Sequence, residues 1–165
     1  MRMTSPFLHL ALVLALGVTP RQAVAPGPVS GEAMFGWPWG TTRHAIARNE
    51  TLEPLPSTEA GVERYRTEHT AFGEATLRDC DFEFVRERLA GVVITTRGAT
   101  NSHALLRELR RLFGPGQEED PRGVGWLTET THARYDEDSA GDAYVYIYAR
   151  RIYTAPAATA PDPGH

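Results

Sequence analysis

His44, His69, His103 and His132 are the first side chains in this sequence that could hold a metal or move a proton. No two of them have the i, i+4 spacing of a helical zinc site, and the single cysteine, Cys80, joins none of them. Ser102 and His103 are adjacent, whereas a nucleophile and its base are brought together from separate elements. Asp79, Asp81 and Glu83 alternate along one segment, so on a strand they share a face and are expected to meet water, not to form a tuned acid and base. The segment YDEDSAGD (135–142) gathers Asp136, Asp138 and Asp142 around Gly141. It lacks the spacing and the closing glutamate of a calcium loop and is expected to be a polar hairpin loop. No G-x-S-x-G, P-loop or H-E-x-x-H motif occurs. No catalytic residue, cofactor or metal site is assigned. A small periplasmic hydrolase or metal-dependent enzyme is the alternative, and it requires the four histidines to converge in one pocket.

Recognition chemistry has better candidates. In DAYVYIYAR, residues 142–150, Ala143, Val145, Ile147 and Ala149 alternate strictly with Tyr144, Tyr146 and Tyr148. A strand of that pattern buries an apolar edge and presents a row of tyrosines. Tyr144, Tyr146 and Tyr148, with Arg150 beside them, form a candidate binding surface, because tyrosine and arginine dominate the energetics of interfaces. A second aromatic group, Trp37-Pro38-Trp39, could stack a ligand. Its position just before a helix start favours a wedge: residues 35, 37 and 39 share one side of an extended segment and bury beneath that helix.

These residues need a scaffold, and its elements are legible. Thr41 or Thr42 can cap a short helix running to about Asn49. Residues 62–68 alternate as a strand. Residues 75–85 place Cys80, Phe82 and Phe84 on one face, a turn follows at Arg86-Glu87, and the β-branched run 89–96 completes a hairpin. Cys80 is then a buried, inert thiol. Residues 101–113 carry Leu105, Leu106, Leu109, Leu112 and Phe113 on one helical stripe, with Asn101 as cap and Gly114-Pro115 as terminator. After the acidic loop GQEEDP, residues 123–135 supply one or two strands. The expected fold class is α+β: a two-layer domain whose antiparallel sheet of about five or six strands carries two helices on one face.

Composition bounds the setting. Arg2 precedes a 12-residue apolar run, Phe7–Val18, broken only by His9. That is too short to span a bilayer and fits a secretory signal peptide over residues 1–25. Ala23-Val24-Ala25 has the small-x-small cleavage pattern, and Ala15-Leu16-Gly17 is a second possible site. Removal of residues 1–25 deletes Arg2 and Arg21 and no acid, so the formal charge of −4 becomes −6. An acidic chain with no basic stripe is a poor nucleic-acid binder. No membrane span is expected after signal removal, and the location is periplasmic or secreted in a bacterium. Residues 26–33 read as a flexible tether, 34–152 as the single α+β domain and 153–165 as a disordered tail.

The runs FGWPWGTTRHAI, FEFVRERLAGVVITT and LLRELRRLFGP, followed by Trp126, resemble a family of small uncharacterised exported bacterial α+β proteins. The likeness covers about residues 34–150, with Pro115 standing one residue early. More distantly the layout is similar to the SmpA/OmlA-type outer-membrane assembly lipoprotein and to β-lactamase-inhibitor-like modules. The chain lacks their lipid-anchor cysteine. The resemblance implies protein binding without catalysis and supplies no site residues. The expected function is a non-enzymatic binding module of the bacterial envelope, its partner an envelope protein or another macromolecule.

Overall fold

The computed structural model describes residues 31–57, 59–120 and 123–153. The expected signal peptide, residues 26–30 of the tether and residues 154–165 of the tail lie outside the described residues. In chain order the elements are β1 (Ala33–Met34), β2 (Trp37–Pro38), α1 (Arg43–Ala47), β3 (Glu53–Leu55), β4 (Val62–Arg66), β5 (Ala71–Phe72) and β6 (Ala75–Thr76). They continue with β7 (Asp79–Val85), β8 (Arg88–Thr95), α2 (Ala99–Phe113), β9 (Gln117–Asp120), β10 (Gly123–Leu127), β11 (Thr131–Glu137), β12 (Ala143–Ala149) and α3 (Arg150–Tyr153). Eight strands form one antiparallel sheet in the order β3-β4-β7-β8-β12-β11-β10-β9, while β1-β2 and β5-β6 are separate two-stranded ribbons.

The α+β expectation of five or six strands with two helices on one face is therefore overturned: the protein is mostly β. Of the helices among the described residues only α2, with 15 residues, exceeds five residues. The missed strands are the two outermost. β3 contains Pro54, and β9 reads QEED. Proline and clustered acids argue against a central strand, yet both are tolerated at a sheet edge, where one side needs no ladder bond and charge deters further pairing.

The centre of the sheet follows the alternation. Cys80 lies opposite Ile94 and Phe82 opposite Val92, and Ile94 and Val92 then face Val145 and Ile147 of β12. Arg86 and Glu87 both adopt positive φ (49° and 63°), so β7 and β8 are joined by a two-residue turn of the type whose twist matches the strands. A register shift at Glu83/Phe84 leaves Ala90 as the extra residue of a bulge.

One face of this sheet is the core side. Cys80, Phe82, Phe84, Val92, Ile94, Val124, Trp126, Ala133, Tyr135, Val145 and Ile147 are buried there in a single cluster. Leu105 and Leu109 of α2 are fully buried against it, and Leu106, Leu112 and Phe113 pack at its margin. Met34, Phe35, Ile46 and Phe72, from β1, α1 and β5 with their connections, complete the cover. The helix starts two residues earlier than its stripe suggests. Gly98 is its N-cap without a side-chain cap, and the Gly98 amide donates to Asp142 Oδ1 at 2.8 Å. Asn101, the expected cap, sits in the first turn and donates to the Arg97 carbonyl.

The segment before α1 also departs from expectation. Phe35 (φ 52°) and Gly36 (φ 84°) turn the chain so that β1 and β2 pair, so residues 35, 37 and 39 do not share one side of an extended run. The chain then docks on the end of β8. The Gly40 amide donates to the Leu89 carbonyl, the Leu89 amide to the Thr41 carbonyl, and the Arg43 amide to the Glu87 carbonyl, at 2.9, 2.9 and 2.8 Å. Thr42 Oγ1 caps α1 through the Ala45 amide, as a residue of its type should.

Because Leu109 is completely buried between helix and sheet, Leu109→Ala is expected to cost about 2–5 kcal/mol of stability, read from urea or thermal unfolding.

Candidate functional site

The sheet alternation that builds the core also defines its opposite face. Register alignment places Arg64 and Arg66 (β4), Asp79, Asp81 and Glu83 (β7), Gly91, Val93 and Thr95 (β8), Tyr144, Tyr146 and Tyr148 (β12) and His132, Arg134 and Asp136 (β11) on that second face. A groove of about 520 Å³ runs across it. Its wall includes Arg64, Glu83, His132, Arg134, Tyr146, Tyr148 and Tyr153, with Ser57 and Glu59 of the β3–β4 connection at one end. Among the described residues, Leu127 and Tyr146 are the large hydrophobic side chains most open to solvent, at 69% and 41% exposure. Leu127 pairs with His132 and so belongs to the same face.

Each groove residue is held by a neighbour. The rings of Tyr144 and Tyr146 meet at a tilt with centroids 4.5 Å apart, and those of Tyr148 and Tyr153 likewise with centroids 5.1 Å apart. The His132 ring bonds to the Tyr148 hydroxyl and meets its ring edge-on. Tyr153 Oη donates to Glu83 Oε2 at 2.7 Å. Its ring lies where Gly91 leaves space: a Cβ at Gly91 would stand 3.4 Å from Tyr153 Cε2 and 3.0 Å from Glu83 Oε2. Burial, with the bond to Tyr144, pushes the Tyr146 phenol up to about 12, so it remains an O–H donor at neutral pH. Burial and the Glu83 carboxylate also raise Tyr153.

Asp81, the middle of the three carboxylates, does not face water as expected, while Asp79 and Glu83 remain partly exposed. Asp81 is 1% exposed. Arg64 donates to Asp81 Oδ2 from Nε and Nη2, at 3.0 and 2.7 Å, and Arg66 Nε donates to Oδ1. Arg66 Nη1 also reaches Asp79 at 2.6 Å, and Asp79 accepts from Thr95 Oγ1 and Arg78 Nε. Alternation put all three acids on the second face correctly. What it could not show is that cross-strand arginines and overlying tyrosines exclude water there. Arg64 also interacts electrostatically with Tyr144, which places the tyrosine row next to the buried ion cluster.

The other sequence candidates separate. Arg150 opens α3, where its Nη1 donates to the Thr128 carbonyl at 2.8 Å, and it is not part of the groove wall. Trp37 and Trp39 are half-buried. Trp37 Nε1 donates to the Glu50 carboxylate, and Trp39 Nε1 donates to the Gly31 carbonyl and Thr131 Oγ1 at 3.0 and 3.2 Å. Both indole N–H groups thus serve internal bonds that fasten residues 31–39 to Glu50, just after α1, and to Thr131 of β11. His44 is exposed on α1. His69 stacks on Phe35 and bonds to Glu50, while His103 lies 3.8 Å from Glu137. The histidines do not converge, and no group of three His, Cys, Asp or Glu among the described residues could hold a metal ion. Burial pushes the Cys80 thiol well up, which keeps it protonated. The Asp138 carboxylate accepts from the Ala140 and Asp142 amides, the local bonding of a polar hairpin loop.

A second cleft, about 560 Å³, lies between α2 and β10–β11 and is lined by His103, Leu106, Arg110, Glu118, Tyr135 and Glu137. Its aromatic group is a buried tyrosine whose hydroxyl donates to Glu137 at 2.6 Å. The sheet-face groove has three tyrosine rings, one of them open, and is the stronger candidate. Arg64, Glu83, His132, Arg134 and Tyr153 of that groove carry no motif. Alternation in VERYR and THARY holds the signal for the arginines and His132, whereas Tyr153 becomes visible only once α3 folds back.

Comparison of the chain with protein-family models, curated proteins and solved structures finds no match. Among the described residues no helix is long and apolar enough to cross a membrane.

Removing the charge of Asp81 leaves two arginines without their shared partner, so Asp81→Asn is expected to cost about 3 kcal/mol in urea unfolding. Asp79 has a second signature. Its burial, which opposes ionisation, is outweighed by bonds from Thr95 and Arg78 and by the charges of Arg66 and Arg78, so its pKa is lowered in the folded protein. A lowered carboxylate contributes stability above its ordinary value near 3.8 and loses it as pH falls through the folded value. Asp79→Asn is expected to flatten the acid limb of the stability–pH curve below that point, measured by denaturant midpoints across the range.

Proposed function

We propose that this protein is an exported, non-enzymatic module of the bacterial envelope that binds a macromolecular partner, an envelope protein or another polymer, through its second sheet face. The observation that carries the reading is the convergence of Tyr146, Tyr148 and Tyr153 with Arg64 and Arg134 around one groove on a face that no long element among the described residues covers. Tyrosine and arginine supply large contact area and directional bonds at modest entropic cost. The mutual bonds of these side chains hold them in place before any partner arrives, which reduces the cost of ordering them on binding. Export rests on the apolar run Phe7–Val18 and the Ala23-Val24-Ala25 pattern. The motif resemblance to small exported proteins and to SmpA/OmlA-type and β-lactamase-inhibitor-like modules points to the same class of activity.

The test is retention of envelope material by immobilised protein. The wild type is expected to retain a partner that Tyr144→Ala/Tyr146→Ala/Tyr148→Ala loses. Tyr146→Ala alone, at an open position, is expected to weaken retention without lowering the melting temperature appreciably. Equal retention by all three proteins would end this reading.

A further inference from the structure

We infer that the groove on the second sheet face receives a neutral saccharide segment, its ring face laid on Tyr146. This rests on the binding reading above and names the chemistry of its partner.

The first ground is the state of the charges. Arg64 is paired with the buried Asp81, and Arg134 with Asp136 through Nε and Nη2 at 2.8 and 3.0 Å. Glu83 accepts from Tyr153, and His132 bonds to Tyr148. An ionic ligand would have to compete with these pairs, and the acidic formal charge of the chain adds no attraction for a polyanion. A neutral ligand leaves every pair intact.

The second ground is the balance of bonding groups. Guanidinium groups donate, carboxylates accept, and tyrosine, serine and histidine do both. Across the groove the registers set out a donor, Arg64, an acceptor, Glu83, then Tyr153, Tyr148 and His132, which do both, with the donor Arg134 beyond. Hydroxyl groups, each a donor and an acceptor, match such a row without leaving a buried group unsatisfied.

The third ground is the apolar part. Besides Tyr146, the large hydrophobic side chain most open to solvent is Leu127, so an amphipathic helix finds no continuous apolar stripe to bury against. An added β-strand needs a sheet edge, and this groove lies over β7, β8 and β12 in the interior of the sheet. A flat, half-apolar ring is what a single open tyrosine can stack. The groove, about 520 Å³, is within the range of sites for a small ligand or a short polymer segment.

The purified protein is titrated by calorimetry and by ligand-observed NMR with maltotetraose, cellotetraose and chitotetraose, alongside an uncharged hexapeptide with blocked termini. Sedimentation equilibrium is run in parallel. Saturable binding of at least one oligosaccharide is expected. Tyr146→Ala should weaken it about tenfold, as loss of a stacked ring does, while Tyr146→Phe should change it little. Silence from all three sugars overturns the saccharide assignment, as does sugar binding that Tyr146→Ala leaves unchanged. Binding of the peptide alone, or self-association abolished by Tyr146→Ala, overturns it in favour of an extended peptide or a second copy. If the sugars are silent while the tyrosine variants still lose an envelope partner, the saccharide assignment fails and the binding face stands.

Discussion

β8 is buried on both of its faces, and that constraint organises the rest of the protein. From Leu89 to Thr95 every residue is shielded from water. Leu89, Val92 and Ile94 point into the core cluster, which is the ordinary fate of one face of an antiparallel sheet. Gly91, Val93 and Thr95 point the other way and are equally buried. Among the described residues no long helix or second sheet lies along that side; Tyr153 of the short α3 covers Gly91, and long side chains on the neighbouring strands supply the rest of the shade. Arg64 and Arg66 come from β4, Asp81 from β7, and Tyr144, Tyr146 and Tyr148 from β12. The candidate binding surface is therefore also the cover of the central strand.

That double duty explains the ion cluster. A carboxylate as buried as Asp81 is tolerable only with close, well-aligned cations, and two arginines donate to it. Tyr144 lies within electrostatic reach of Arg64, so the tyrosine row stands beside this ion cluster. Gly91 solves the remaining gap differently. Its missing side chain admits the ring of Tyr153, whose hydroxyl reaches Glu83. A rigid, mutually bonded surface of this kind suits recognition better than a surface of free charges would.

Much of the local structure was legible before any tertiary contact was known. The helix stripe from Leu105 to Phe113, the turn at Arg86-Glu87, the two faces of β7 and the tyrosine alternation of β12 all follow from period and turn chemistry, and each occurs where its residues place it. The errors cluster where a residue type has two meanings. Pro54 and the run QEED carry no strand pattern, yet they mark edge strands. Asp79, Asp81 and Glu83 were read as wet, yet cross-strand partners bury the middle one. Phe35 was read as extended, yet its positive φ turns a hairpin.

Sequence alone determined which residues alternate together, because side-chain direction along a strand depends only on the local backbone. On that basis Tyr144, Tyr146 and Tyr148 were identified as a row opposite an apolar face. Which strands lie beside β12, and hence whether Arg64, His132 and Arg134 join that row, depends on pairings between residues far apart in the chain. Arg150 and Tyr153 show the limit most clearly. They are three residues apart, but α3 turns the first toward the Thr128 carbonyl and lays the second over Gly91. Only the packed sheet, by leaving a space of the right shape beside Glu83, decided which of them belongs to the groove.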